Sequence, residues 1–260
     1  MISILRWTIE LGRIDICTEI SLMSRYLVGP RAGYLVQVLH IFCFLKCNQC
    51  MDICYDPTKH NITEPTTLPQ ERAAHRAKII CTIYTDAIED LPSSYPVHLG
   101  KSVQINAFVD ADLAGELITR RSQTGFLIFL NISPTVWYSK RQNTVKASTY
   151  GFEFVDMRIL VEMFIALRYK LCLFGGPIDG PFNVFCDNDA IARTAMRVET
   201  TLKKHFLVAF HKSRGNVACG IMLVFFECSE SNLSDLSTKV LASIDRKYIM
   251  SYICGKLPHT

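Results

Sequence analysis

The chain has 260 residues, 49% of them hydrophobic, and carries 28 Lys and Arg against 24 Asp and Glu for a net charge of +4. That composition excludes a disordered tail and leaves room for one large domain, or one domain plus a substantial fragment. A mild positive balance suits a polyanionic partner without identifying one.

The opening stretch MISILRWTIELGR sets Arg6 and Glu10 inside its apolar run, which makes it a poor secretory signal. The 11 cysteines therefore read as reduced thiols of an intracellular protein, in cytoplasm or nucleus. The longest apolar run, Tyr34 to Phe44, is interrupted by Gln37 and His40 and falls far short of the ~20 residues that span a bilayer. No membrane partner is expected.

Residues 1–56 read as helices. Leu5, Ile9, Ile14 and Ile16 lead into Ile20, Leu22, Met23 and Leu27, and Gly29-Pro30 stops the run. Leu35, Val38, Leu39, Phe42 and Leu45 repeat at helical spacing, and Asp56-Pro57 ends the block. Cys43, Cys47, Cys50 and Cys54 fall on one stripe if that helix continues. Such a stripe extends over ~16 Å, too far for four thiolates to meet one zinc ion at ~2.3 Å. A break at Asn48-Gln49 would reopen the question.

Residues 57–100, with Pro65, Pro69, Pro92 and Pro96, read as a connecting segment with at most one short strand over 79–83. The texture changes at Val103. VQINAFVDAD is a nearly continuous apolar run, as for a central strand. QTGFLIFLNI and TVWYSKRQ follow, with Ser133-Pro134 as the turn between them, so a three-stranded antiparallel meander is expected. A long helix is expected over 149–173, terminated by Gly175-Gly176-Pro177. FNVFC is a further strand, a helix opens at Asn188-Asp189, and a basic amphipathic segment covers 201–217. IMLVFFEC is the fifth strand, and 232–241 reads as a closing helix. The sum is an α/β protein, a mixed sheet with helices on its faces.

Four carboxylates sit at the edges of these elements: Asp110, Glu153, Asp187 and Asp235. Two follow apolar strands and two lie in first helical turns. Taken singly, each is an ordinary turn or helix-start residue. Taken together, acids gathered from distant sequence form the kind of oxygen-rich cluster that holds Mg²⁺ for phosphodiester hydrolysis.

The strings VDADLAG, TRRSQTGFLIFL, WYSKRQNTV, STYGFEF, FCDN, LKKH and NLSDLSTKVL stand in one order over 103–241. In that order the region resembles the ribonuclease H domain of copia-type retrotransposon Pol polyproteins. The upstream stretch from Arg6 to Lys46 resembles the tail of the same polyprotein's reverse transcriptase region, without the polymerase's aspartate pair. The resemblance implies a ribonuclease H-like fold with a five-stranded mixed sheet over 101–245, preceded by a helical segment over 1–56 and a connector over 57–100. It implies Asp110, Glu153, Asp187 and Asp235 as catalytic metal ligands, two Mg²⁺ ions with Mn²⁺ as a substitute, and cleavage of the RNA strand of an RNA–DNA hybrid.

No small-molecule substrate is expected, and the rest of the polyprotein is the other implied partner. The alternative is a catalytically inactive remnant of that polyprotein, nucleic-acid-binding or inert. Gly151, where the family carries an acid, and Gly215, where a helix interior pays ~1 kcal/mol for glycine, are the departures that raise it. An integrase-like reading is disfavoured because Met222 and Leu223 occupy the positions where such enzymes carry a glutamate. The residues expected to meet phosphates are Arg120, Arg121, Lys140, Arg141, Lys203, Lys204, His205 and His211.

Overall fold

Ile105 to Asp110 are buried without interruption, which is the signature of a strand covered on both faces. This strand, β1 (Ile105–Asp112), lies at the centre of the protein in a computed structural model that describes residues 1–58, 84–112, 121–143, 149–195 and 207–254. Four more strands join it: β2 (Gln123–Leu130), β3 (Ser133–Arg141), β4 (Phe182–Cys186) and β5 (Met222–Phe226). Their order is β3-β2-β1-β4-β5. β1, β2 and β3 are antiparallel neighbours, while β4 pairs in parallel with both β1 and β5.

The turn between β2 and β3 falls at Asn131, whose φ of 56° is left-handed. Asparagine tolerates that region. The turn is thus two residues earlier than the one expected at Ser133-Pro134, and Pro134 instead lies at the start of edge strand β3, behind Ser133, where its missing N–H is harmless.

Helix α4 (Thr149–Leu173) packs on β1 and β2. Phe154, Met157, Leu160, Val161 and Phe164 form its buried stripe. Helix α5 (Asp189–Ala195) is capped by Asn188, whose Oδ1 accepts from the amides of Ala190 and Ile191 at 2.9 and 3.2 Å. Helix α6 (Leu207–Ala218) runs straight through Gly215 despite the cost of glycine in a helix interior. Buried Ser213, Arg214 and Val217 on either side hold it. The closing helix expected over 232–241 is only one turn, α7 (Asp235–Thr238), because Lys239 turns to extended backbone. A separate helix, α8 (Ser243–Ile253), follows.

The N-terminal segment is helical as expected: α1 (Ile2–Glu10), α2 (Cys17–Met23) and α3 (Ala32–Cys47). Leu5, Ile9, Ile16, Cys17, Ile20, Val38 and Ile41 bury one another, with Trp137 of β3 packed against them. Ile14 belongs to the main core instead. The Thr18 hydroxyl donates to the Leu236 carbonyl at 2.6 Å, inside α7. Arg246 of α8 pairs with Glu19 and donates to the Asp15 carbonyl at 3.1 Å. Helix α3 stops at Cys47, so Cys50 and Cys54 lie beyond it and the four cysteines do not form one helical stripe. The strand anticipated over 79–83 lies outside the described residues. Among those described, no helix is long and apolar enough to cross a membrane.

The antiparallel meander, the two parallel strands beside β1 and the flanking helices make a ribonuclease H-like α/β fold with a helical N-terminal segment.

Candidate active site

The parallel ladder between β1 and β4 ends at Val109 and Cys186. The next residue on each side is an aspartate, Asp110 on β1 and Asp187 after β4. Side chains leaving the carboxyl ends of neighbouring parallel strands enter the crevice where α/β proteins place their sites. Both carboxylates line one small cavity, together with Asp156 of α4.

The third acid arrives on α7. Asn232 anchors the approach, donating from Nδ2 to the Val109 carbonyl at 3.1 Å and accepting from the Ser234 hydroxyl at 2.6 Å. Gly125 of β2 then lets the turn settle on the sheet. A Cβ there would lie 2.8 Å from Ser237 Cβ and 2.9 Å from the Ser237 carbonyl carbon. With α7 seated this low, the Thr238 hydroxyl donates to Asp110. Asp235 faces the same point.

Lys239 completes the cluster. Its Nζ lies 2.6 Å from Asp235 Oδ1 and 3.4 Å from Asp110 Oδ2. Burial alone would lower its ammonium pKa, but the charges of Asp110, Asp235 and Asp187 hold it above the ordinary value. Burial, followed by the Asp110 charge, pushes Asp187 upward, against the pull of Lys239 and of Ser229, whose hydroxyl donates to Asp187 Oδ2 at 3.3 Å. Asp112, two residues along β1, is raised by burial and by Asp110. Asp235 is pushed up to about 6, mainly by burial and also by Asp110, despite its bond to Lys239. One lysine does not satisfy this many buried carboxylates.

The raised Asp235 value has a sign that can be measured. A carboxyl that prefers its proton in the fold favours the folded state at low pH. That contribution is lost as pH rises from near 4 through about 6. Asp235→Asn removes the dependence, so its melting temperature relative to wild type is expected to climb between pH 4 and pH 7. A flat difference across that range, measured by thermal denaturation without divalent cation, rules the coupling out.

Of the expected site residues, Asp110, Asp187 and Asp235 come together. Glu153 lies in the backbone of α4, and its side chain is outside the described residues. So are Arg120, Lys203, Lys204 and His205. Arg121 is half-buried just before β2, and Lys140 and Arg141 end β3. His211 on α6 lies with Nδ1 2.8 Å from the Tyr84 hydroxyl, and Arg214 stacks over the same ring at 5.4 Å. Sequence reasoning missed Lys239, Thr238, Gly125 and Asp156. The Asp235-to-Lys239 spacing of four was a signal for the first, and a lone glycine inside a strand was one for Gly125.

Among the described residues, no three of His, Cys, Asp and Glu stand in a preformed metal-holding arrangement. The donor chemistry nonetheless fits a hard divalent cation. Asp110, Asp187 and Asp235 offer only carboxylate oxygens, and the two raised values mark a place short of positive charge.

No protein-family model matches the chain. It is 27% identical over 146 residues to the retrovirus-related Pol polyprotein from transposon RE2 of Arabidopsis thaliana, covering 56% of this chain and 10% of that protein. It is 28% identical over 145 residues to the corresponding polyprotein from transposon TNT 1-94 of Nicotiana tabacum, covering 55% and 11%. Among solved structures, an N-terminal RNase H domain from Mycobacterium tuberculosis superposes with a TM-score of 0.42 at 8% identity, over 57% of this chain and 96% of that one. LC11-RNase H1 in complex with an RNA/DNA hybrid gives 0.42 at 14% identity, over 52% and 94%. The chain is thus similar over more than half its length to retrovirus-related Pol polyproteins from plant transposons, and it spans about a tenth of the length of those relatives.

Proposed function

We propose that the chain carries a ribonuclease H-like endonuclease that cleaves the RNA strand of RNA–DNA hybrids, as part of a copia-type Pol polyprotein. The nuclease occupies 101–245, with 1–56 as the tail of a reverse transcriptase region and 57–100 as the connector. The observation that supports this reading is that Asp110 and Asp187 line one cavity at the carboxyl edge of the parallel strands while Asp110 and Asp235 share Lys239. Asp110, Asp187, Asp235 and, from the sequence, Glu153 would hold the divalent cations. Bound Mg²⁺ supplies an activated water and stabilises the leaving oxygen.

The protein's own residues supply position and field. Thr238 fixes the orientation of Asp110 through its hydroxyl. Ser229 does the same for Asp187. Asn232 and Gly125 hold α7 against the sheet, so that Asp235 meets acids more than 40 residues away in sequence. Lys239 offsets part of the mutual repulsion until cation arrives.

The test is cleavage of a labelled hybrid by the full chain in Mg²⁺ or Mn²⁺. Asp187→Asn is expected to abolish it, a loss of at least ~10³-fold for a residue at the reacting centre. Wild type that cleaves no better than the variant, yet binds hybrid with salt sensitivity, establishes the inactive-remnant reading instead. The extended Lys239, whose ammonium sits among the acids, is the observation that favours that second reading.

A further inference from the structure

A cleft of about 460 Å³ opens between the N-terminal helices and edge strand β3. Arg6 of α1 and Arg25, just beyond α2, line one wall, and Lys140 and Arg141 of β3 line the other. Glu10 is the acid among the lining residues, so the walls carry four positive charges against one negative. Trp137 and Tyr138 form part of the β3 wall. The two arginines of the helical wall are braced. Arg6 Nε donates to Ser24 Oγ at 3.1 Å, and Arg25 donates to the Gln123 side chain. Gln123 in turn donates to Ser21 and Ser139, each at 2.8 Å, tying the two walls together.

The sheet register places this cleft with respect to the acids. Asp110 pairs with Gly125, and Gly125 with Ser139, which lines the cleft. Two inter-strand steps of ~4.8 Å make roughly 10 Å. That is about three nucleotides of duplex rise at ~3.4 Å each. The row two residues on, Asp112 to Gln123 to Arg141, runs the same way. The turn α7 rests on Gly125 between the two, so a strand with phosphates in the cleft would pass around α7 to reach the acids.

We propose that the cleft between α1, α2 and β3 is a phosphate-backbone track, in which the N-terminal helices contribute Arg6 and Arg25 to nucleic-acid binding beside Lys140 and Arg141. The inference rests on the nucleic-acid reading above, but it concerns binding and not hydrolysis. It gives residues 1–56 a part in substrate capture that no sequence motif marks. Arg6 is separated from Lys140 by more than 130 residues, and only the fold brings both to the lining of one cleft.

The test is binding of a fluorescent RNA–DNA hybrid to the full chain in EDTA, where no cleavage occurs, across a sodium chloride series. Arg6→Ala with Lys140→Ala is expected to weaken binding about tenfold and to flatten the slope of log K against log salt by about two, near 0.9 for each phosphate that is no longer neutralised. Both side chains are exposed. If the double variant melts early, Lys140→Ala alone serves, with an expected slope change of about one. Unchanged affinity and slope overturn the proposal, as does wild type that fails to bind hybrid at low salt. A variant that loses polyglutamate binding but keeps hybrid overturns it in favour of an acidic peptide. Asp187→Asn, run in parallel, separates the two readings. Cleavage that depends on Asp187 with no binding defect in the double variant sinks the cleft alone. A binding defect without any wild-type cleavage sinks the nuclease alone.

Discussion

Gly125→Val is expected to abolish hybrid cleavage and to lower the melting temperature by about 2–12 °C. Valine is a better strand residue than glycine, so local propensity predicts the opposite sign. The loss comes from α7, because any Cβ at 125 meets Ser237 at 2.8 Å and its backbone at 2.9 Å. Backbone cannot swing aside as a long side chain can. The helical turn must lift, and Asp235, Thr238 and Lys239 lift with it. Overpacking of this kind costs about 1–3 kcal/mol, which converts to roughly 2–4 °C for each kcal/mol in a chain of this size. Gly125→Ala is expected to show the same defect at smaller amplitude. A Val variant that cleaves at the wild-type rate removes α7 from the site.

Deleting residues 1–56 is expected to leave a chain without a cooperative thermal transition. Ile14 sits in the main core among residues of the sheet and helices, fully buried. Truncating one such side chain costs about 2–5 kcal/mol. The Thr18 bond to Leu236 adds about 1 kcal/mol. Removal of the helices also uncovers Trp137 and strips Arg246 of Glu19. Together these losses rival the ~5–15 kcal/mol that holds a typical protein folded. Circular dichroism melts of the truncated chain, with Ile14→Ala as the graded control, measure the effect. A truncated chain that melts sharply within a few degrees of wild type shows that the helices are dispensable.

The fold was legible in sequence wherever an element was long and its apolar pattern uninterrupted. β1, β2, β4, β5 and α4 are such elements, and they stand where the pattern puts them. The misreadings occur where one residue decides. Ser133-Pro134 has turn composition, yet Asn131 takes the left-handed position and the proline joins an edge. Gly215 has a helix-breaking propensity of ~1 kcal/mol, and packing of its neighbours overrides it. Lys239 leaves helical geometry although its sequence reads as a continuing turn.

The site was partly legible for a related reason. Asp110, Asp187 and Asp235 are marked by their place at element ends, which local sequence displays. Their partners are set by tertiary contact, which it does not display. Nothing in QTGFLIFL says that Ser237 will lie on Gly125, and nothing around Arg6 says that it will line one cleft with Lys140.

The tie between Thr18 and Leu236 spans 218 positions, and that between Glu19 and Arg246 spans 227. Contacts this remote in sequence make folding slow, because the closure entropy must be met before they form. The turn that carries Asp235 is then clamped only after both ends of this stretch have been made and have found each other. During synthesis α2 emerges more than 200 residues ahead of the turn that packs against it. Completion of the acid cluster therefore depends on a closure between the two ends of this stretch and not on local structure alone.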